Sequence, residues 1–378
     1  MSHERIYLSP PHLSNQAKES INQAIDSNWI APLGPMVNAF EQKLATQLSP
    51  DSHWVALNSG TAAIHLALRM LNIGKGDVVL CQSFSCVASA APVIQLGAKV
   101  VFVGSEKETW NLSPRYLEEA IVDLNKRSIT PKAIIAVGLY GMPFNVTAIK
   151  NIATKYAIPL IEDAAESLGS FYKGAPCGSF GDFSILSFNG NKIITTSGGG
   201  ALRVQSNKEK QRAIYLGSHA KLEAPYYSHQ ELGYNYRMSN IIAAIGVSQL
   251  QVLPQRVKAR RDNHAFYKQF FDTYKGVQVF SEPNTDFVSN HWLTCILLDS
   301  EQVKITVAQL ILALEVHQIE ARRLWKPLHT QEVFKDCEYY GDQTEVSLFD
   351  FGLCLPSGSN LSDEQKSRII KVLENHLL

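Results

Sequence analysis

Apolar residues recur along this chain with two periods, one helical and one of strict alternation. From Ser14 to Asn28 the period is helical, with Ser14 as cap and Ala17, Ile21, Ala24 and Ile25 on one face. A second helix is expected from about Met36 to Leu48. The stretch between them, Trp29-Ile30-Ala31-Pro32-Leu33-Gly34-Pro35, is apolar and stiff. Such a stretch is unusual as plain surface, so it is expected to pack on another subunit or line a cleft.

A strand, Trp54 to Leu57, then meets Asn58-Ser59-Gly60-Thr61, where the helix Ala62 to Leu71 starts. Strands are expected at Val78 to Cys81, Lys99 to Val103, Ala133 to Val137 and Ile158 to Glu162. Helices fall between them at Ser85 to Leu96 (interrupted by Pro92), Pro114 to Leu124 and Val146 to Tyr156. This alternation predicts an α/β fold with a mostly parallel sheet and right-handed crossovers. Ligands in such sheets sit at the carboxyl ends of strands. Ser59, Phe84, Tyr140 and Asp163 all follow predicted strands and are expected to converge.

Another alternating run, Phe183, Ile185, Leu186 and Phe188, predicts a strand leading to Lys192, with the triplet Gly198-Gly199-Gly200 beyond it. Ala213 to Tyr236 is polar and aromatic with little period, the pattern of a long functional loop. Ser239 caps an apolar helix, Ile241 to Leu253, and Pro254 begins another reaching about Tyr274. A strand at His291 to Leu298 and helices at Thr306 to His317 and Asp363 to His376 predict a smaller α+β domain. The division expected is 1–250 for the large domain and 251–378 for the small one.

Composition narrows the class. The chain has 378 residues, 45% hydrophobic and 19% charged, with Lys plus Arg and Asp plus Glu at 35 each. No basic field points to nucleic acid. The stretch Met1 to Ser14 has no apolar core, and the longest apolar stretch, Cys86 to Val103, is broken by Pro92 and Lys99. The six cysteines show no CxxC pairing, which leads us to expect a cytoplasmic enzyme with reduced thiols. No His/Cys cluster predicts a metal, and neither GxGxxG nor GxSxG occurs.

The chemistry centres on Lys192. A polar break between strands would hold it in a cleft, where an amine loses solvation and becomes nucleophilic toward a carbonyl, as in Schiff-base attachment of pyridoxal phosphate. Ser59-Gly60-Thr61, turning from strand into helix, is either a plain N-cap or a phosphate site. Asp163 either caps the following helix or pairs with a pyridine nitrogen and keeps it protonated. Phe84 packs in the core or stacks on the ring. Ser187 is a solvated strand residue or a further phosphate contact.

Four blocks resemble the DegT/StrS nucleotide-sugar aminotransferases: Asn58-Ser59-Gly60-Thr61-Ala62-Ala63, Glu162-Asp163-Ala164-Ala165-Glu166-Ser167-Leu168-Gly169, Ser187-Phe188-Asn189-Gly190-Asn191-Lys192 and Gly233-Tyr234-Asn235-Tyr236-Arg237-Met238-Ser239. The resemblance implies a fold-type I pyridoxal phosphate enzyme with a seven-stranded sheet flanked by helices. It implies the cofactor on Lys192, Asp163 on the ring nitrogen and Ser59, Gly60, Thr61 and Ser187 near the phosphate. It also implies a homodimer with shared sites, in which Asn235 reaches the phosphate from the neighbouring subunit.

Further blocks are similar to the bacillosamine-pathway branch: Tyr7-Leu8-Ser9-Pro10-Pro11-His12, Ser27 to Pro35, Leu324-Trp325-Lys326-Pro327-Leu328-His329 and Gly352 to Gly358. That likeness implies glutamate as donor and C4 of a UDP-linked 4-keto-6-deoxy-N-acetylhexosamine as acceptor. A diphosphate needs cations, for which Arg237, Arg322 and Lys326 are candidates, and Asn28, Trp29 and His329 are further candidates for holding the substrate. Glu166 departs from the family, standing near the ring hydroxyl where many members carry Gln, and Arg323 replaces an expected Pro. A sugar dehydratase on this fold replaces the lysine with histidine, so Lys192 argues against that chemistry. A non-catalytic protein on the same scaffold is opposed by the intact set Lys192, Asp163 and Ser59.

Overall fold

The computed structural model describes residues 4–377. Its main sheet has eight strands, in the spatial order His53–Leu57, Gly200–Val204, Phe183–Ser187, Leu160–Asp163, Ala133–Val137, Val78–Gln82, Lys99–Val103 and Glu338–Tyr340. Gly200–Val204 runs antiparallel to both neighbours, and the other pairs are parallel. The resemblance implies seven strands. The eighth, Glu338–Tyr340, is a three-residue edge strand too short to leave a periodic signal.

Central strands such as Ala133–Val137 are buried throughout, because helices cover both faces. Strand alternation sorts their side chains into two layers. Leu80, Ile134, Ala136, Leu160 and Leu186 join one apolar cluster, while Val79, Cys81, Ile135, Ile161 and Ile185 join the other. A four-stranded antiparallel sheet, ordered Val277–Val279, Thr294–Leu298, Gly352–Leu355, Arg322–Arg323, packs Ile296, Leu298, Leu353 and Leu355 against helices Val307–Val316 and Asp363–Leu377.

Several elements differ from expectation for identifiable reasons. Asn240–Phe271 is one helix with Pro254 inside it, not two. Pro254 leaves the Leu250 carbonyl without its helical donor, and the Gln47 side-chain amide donates to it at 3.1 Å. Residue 250, where the division was expected, lies inside this helix. The predicted loop from Ala213 begins instead as the end of helix Asn207–Gly217, started by a capping box of Ser206 and Glu209. Pro92 confines the expected Ser85 helix to a short 3-10 turn and Ala91–Gln95. Ser14 caps nothing: the first helix is Ala17–Asp26, and its Ile25 is 53% exposed.

Candidate active site

A cavity of about 370 Å³ opens at the carboxyl ends of the central strands. Ser59, Gly60, Thr61, Asp163, Glu166, Ser187 and Lys192 all line it, from blocks spread over more than a hundred residues. Lys192 sits in the turn after strand Phe183–Ser187, its N–H bonded to the Asn189 carbonyl at 3.1 Å. Its amine lies 3.5 Å from Glu166 Oε1 and 4.4 Å from the centre of the Trp292 ring. The amine is thus held between the Glu166 carboxylate and the face of the Trp292 ring.

Asp163 ends the strand Leu160–Asp163, fully enclosed. Its Oδ2 accepts from the Ser89 hydroxyl at 2.7 Å and its Oδ1 from the Ala165 N–H at 3.1 Å. Burial pushes its carboxyl up, against the pull of these donors and of Lys192. Burial also raises Glu166, opposed by Lys192 and by the Tyr140 N–H that donates to its Oε2 at 2.8 Å. Tyr140 has φ 55°, a costly left-handed conformation that aims this N–H. Two buried carboxyls beside one amine form a site that gains from a further cation, which a protonated ring nitrogen supplies.

The phosphate end is built on a helix N-terminus. Ser59 Oγ accepts from the Ala62 N–H at 3.0 Å, so it caps helix Gly60–Met70 and lines the cavity at once. Gly200, the last of the glycine triplet, passes directly beneath. A Cβ there would lie 2.3 Å from the Ser59 carbonyl carbon and 2.4 Å from the Gly60 nitrogen. A free helix start with two flanking hydroxyls, a buried strand-end acid and an enclosed lysine fit pyridoxal phosphate.

Other expected residues lie elsewhere. Phe84 is fully buried, edge-on to Tyr140, because its side chain follows the core side of the chain; Ser85, Cys86, Ala88 and Ser89 face the cavity instead. Arg237 pairs with the enclosed Glu41 at 2.9 Å and donates to the Ala56 carbonyl, which turns it away from the cavity. His329 is held by Ser83 Oγ at 2.6 Å and stacks on Tyr339. Arg322 lines an adjoining cavity of about 310 Å³ and pairs with Glu320 at 2.7 Å, while Lys326 is exposed. Asn28, Trp29 and Asn235 are exposed and do not line the chain's own cavity.

Sequence reasoning missed Ser89, Trp292 and Trp325. Ser89 belongs to a run of serines in an otherwise apolar segment, a signal that was there to be used. Trp325 lies in the block Leu324 to His329 but was given no role there, and Trp292 arrives from the far end of the chain with no local pattern to mark it.

The sequence model of the DegT/DnrJ/EryC1/StrS aminotransferase family matches residues 11–374. EpsN of Bacillus subtilis (strain 168), named as a pyridoxal phosphate-dependent aminotransferase, is 47% identical over 98% of this chain and 95% of its own length. The GDP-perosamine synthase of Vibrio cholerae is 33% identical over 97% of each chain. A crystal structure of a DegT DnrJ EryC1 StrS aminotransferase from Brucella abortus superimposes with a TM-score of 0.88 at 28% identity, covering 96% of this chain and 95% of that one. The chain belongs to the DegT/DnrJ/EryC1/StrS aminotransferase family, and its cofactor is pyridoxal phosphate.

Proposed function

We propose that the enzyme moves an amino group from L-glutamate to C4 of a UDP-linked 4-keto-6-deoxy-N-acetylhexosamine, making a 4-amino-4,6-dideoxy sugar nucleotide for bacterial glycan synthesis. The observation that carries the transfer chemistry is the Lys192 amine in one cavity with the Asp163 and Glu166 carboxyls. The sugar and nucleotide rest on the blocks at both ends of the chain.

When bound, pyridoxal phosphate supplies the carbonyl that carries the amino group and a ring that withdraws electrons. Ser59, Gly60, Thr61 and Ser187 hold its phosphate, and Asp163 keeps its ring nitrogen protonated. Lys192 Nζ would carry the proton from Cα of glutamate to C4′ of the cofactor, and in the second half-reaction from C4′ to C4 of the sugar. Glu166 and Trp292 keep that amine in place between the two half-reactions. The donor product leaves before the sugar enters, so ping-pong kinetics are expected.

The functional unit in this reading is a two-fold homodimer. Ile25, Trp29, Ile30 and Leu33 are 53%, 45%, 49% and 59% exposed, a cluster that calls for a covering surface. Asn28, Trp29 and Asn235 would then serve the cavity of the second copy. The likeness to a GDP-perosamine synthase supports a second reading, a GDP-linked keto sugar as acceptor. Assay of UDP-, dTDP- and GDP-linked 4-keto sugars with glutamate separates them. Turnover of the UDP-N-acetyl sugar far above the others is expected, and preference for a GDP or dTDP sugar overturns the assignment.

A further inference from the structure

Arg260 is 1% exposed and, among the described residues, has no carboxylate within ion-pair distance. A buried, unpaired cation is costly and demands a reason. Burial pulls its guanidinium down to about 9. Its two terminal nitrogens donate to the Trp292 carbonyl and, at 2.8 Å, to Ser9 Oγ, while its Nε finds no acceptor.

Both of those partners grip the same atom. Ser9 Oγ donates to the Asn191 carbonyl at 2.6 Å, and the Trp292 indole N–H donates to it at 2.7 Å. That carbonyl belongs to the peptide bond that enters Lys192. The Trp292 ring lies against the Lys192 amine at 4.4 Å. Arg260 thus closes a loop of bonds through three distant segments, residues 9, 191 and 292, anchored on the rigid helix Asn240–Phe271. A charged donor also strengthens the Ser9 hydroxyl as a donor to the carbonyl beyond it. A neutral residue or a lysine cannot span both acceptors with fixed geometry.

We propose that Arg260 is a positioning residue for transamination, setting the Lys192 amine through the Asn191 carbonyl and the Trp292 ring. The proposal rests on Lys192 carrying the cofactor. The test uses the pyridoxal phosphate-loaded enzyme and the variants Arg260→Lys, Ser9→Ala and Arg260→Lys/Ser9→Ala. Two quantities are read: the pH midpoint of the bound cofactor's absorbance change, and kcat and KM.

We expect Arg260→Lys and Ser9→Ala each to move the midpoint by at least ~0.5 unit and to lower kcat about 10- to 100-fold, with KM for the sugar nucleotide changed less than about threefold. The double variant should equal the worse single one, because both act on one carbonyl. An unmoved midpoint with kcat unchanged in folded Ser9→Ala and Arg260→Lys overturns the proposal, whatever their melting temperatures. So do additive losses in the double variant. Failure of the underlying reading looks different: the wild-type enzyme itself then yields no borohydride-stable adduct on Lys192.

Discussion

The Lys192 amine lies 3.5 Å from Glu166 Oε1, in a pocket where both side chains are almost closed off from water. A carboxylate in that position stabilises positive charge on a cofactor bound beside it. Glu166→Gln keeps the shape and removes the charge. The pH midpoint of the bound cofactor's absorbance should then fall by about one unit, within the range for loss of a close opposite charge. A spectrophotometric titration measures it, and an unmoved midpoint shows that Glu166 carries no charge in the folded enzyme.

Asp163→Asn keeps one oxygen to accept from the Ala165 N–H, turns its amide NH2 toward the Ser89 hydroxyl, and removes the charge that would hold a proton on the ring nitrogen. Turnover should drop at least ~100-fold, the order found when one electrostatic stabiliser is lost. Steady-state kinetics decide it. Near-normal turnover assigns the role elsewhere.

Acid should destabilise the fold through His264. Its ring is buried against His291, with centroids 3.6 Å apart, and its Nε2 lies 2.9 Å from the Phe280 carbonyl. Burial lowers its pKa to about 4. Between that value and about 6.5 the unfolded chain binds a proton the folded chain refuses, so stability falls as pH drops through this window and levels below it. The loss from this group is roughly 3 kcal/mol by pH 4. Urea unfolding at stepped pH should show the slope in the native protein and a shallower one in His264→Gln; equal slopes contradict it.

The shared-site dimer gives a complementation test. If Asn235 serves the neighbouring copy, a dimer of one Asn235→Asp chain and one Lys192→Ala chain carries both lesions in one site and neither in the other. Mixing the two inactive variants under subunit exchange should restore activity towards about a quarter of the native level, because half the dimers are mixed and each has one intact site. Confirmed exchange without recovery places the whole site within one chain.

The convergence of the site's residues on one cavity was legible because they follow strands. Asp163, Ser59 and Ser187 sit at or just past strand ends, where periodicity stops and a polar residue appears. The same rule misplaced Phe84, since it says which loop borders the cavity but not which side chain turns inward; Cys86 and Ser89 do. Arg237 was legible as a cation but not as the partner of Glu41, a contact set by the tertiary packing of helix Pro35–Leu48. Pro254 misled because the donor that rescues the Leu250 carbonyl, Gln47, is some two hundred residues away. Trp292 and Arg260 bear on Lys192 only once the chain has folded.

The catalytic reading turns on Lys192 as the residue that carries the cofactor. Borohydride reduction of the pyridoxal phosphate-loaded enzyme, followed by proteolysis and mass mapping, tests this directly. The pyridoxyl adduct should appear on the peptide containing Lys192 and vanish in Lys192→Ala. An adduct on any other lysine, or none in the native enzyme, contradicts the account.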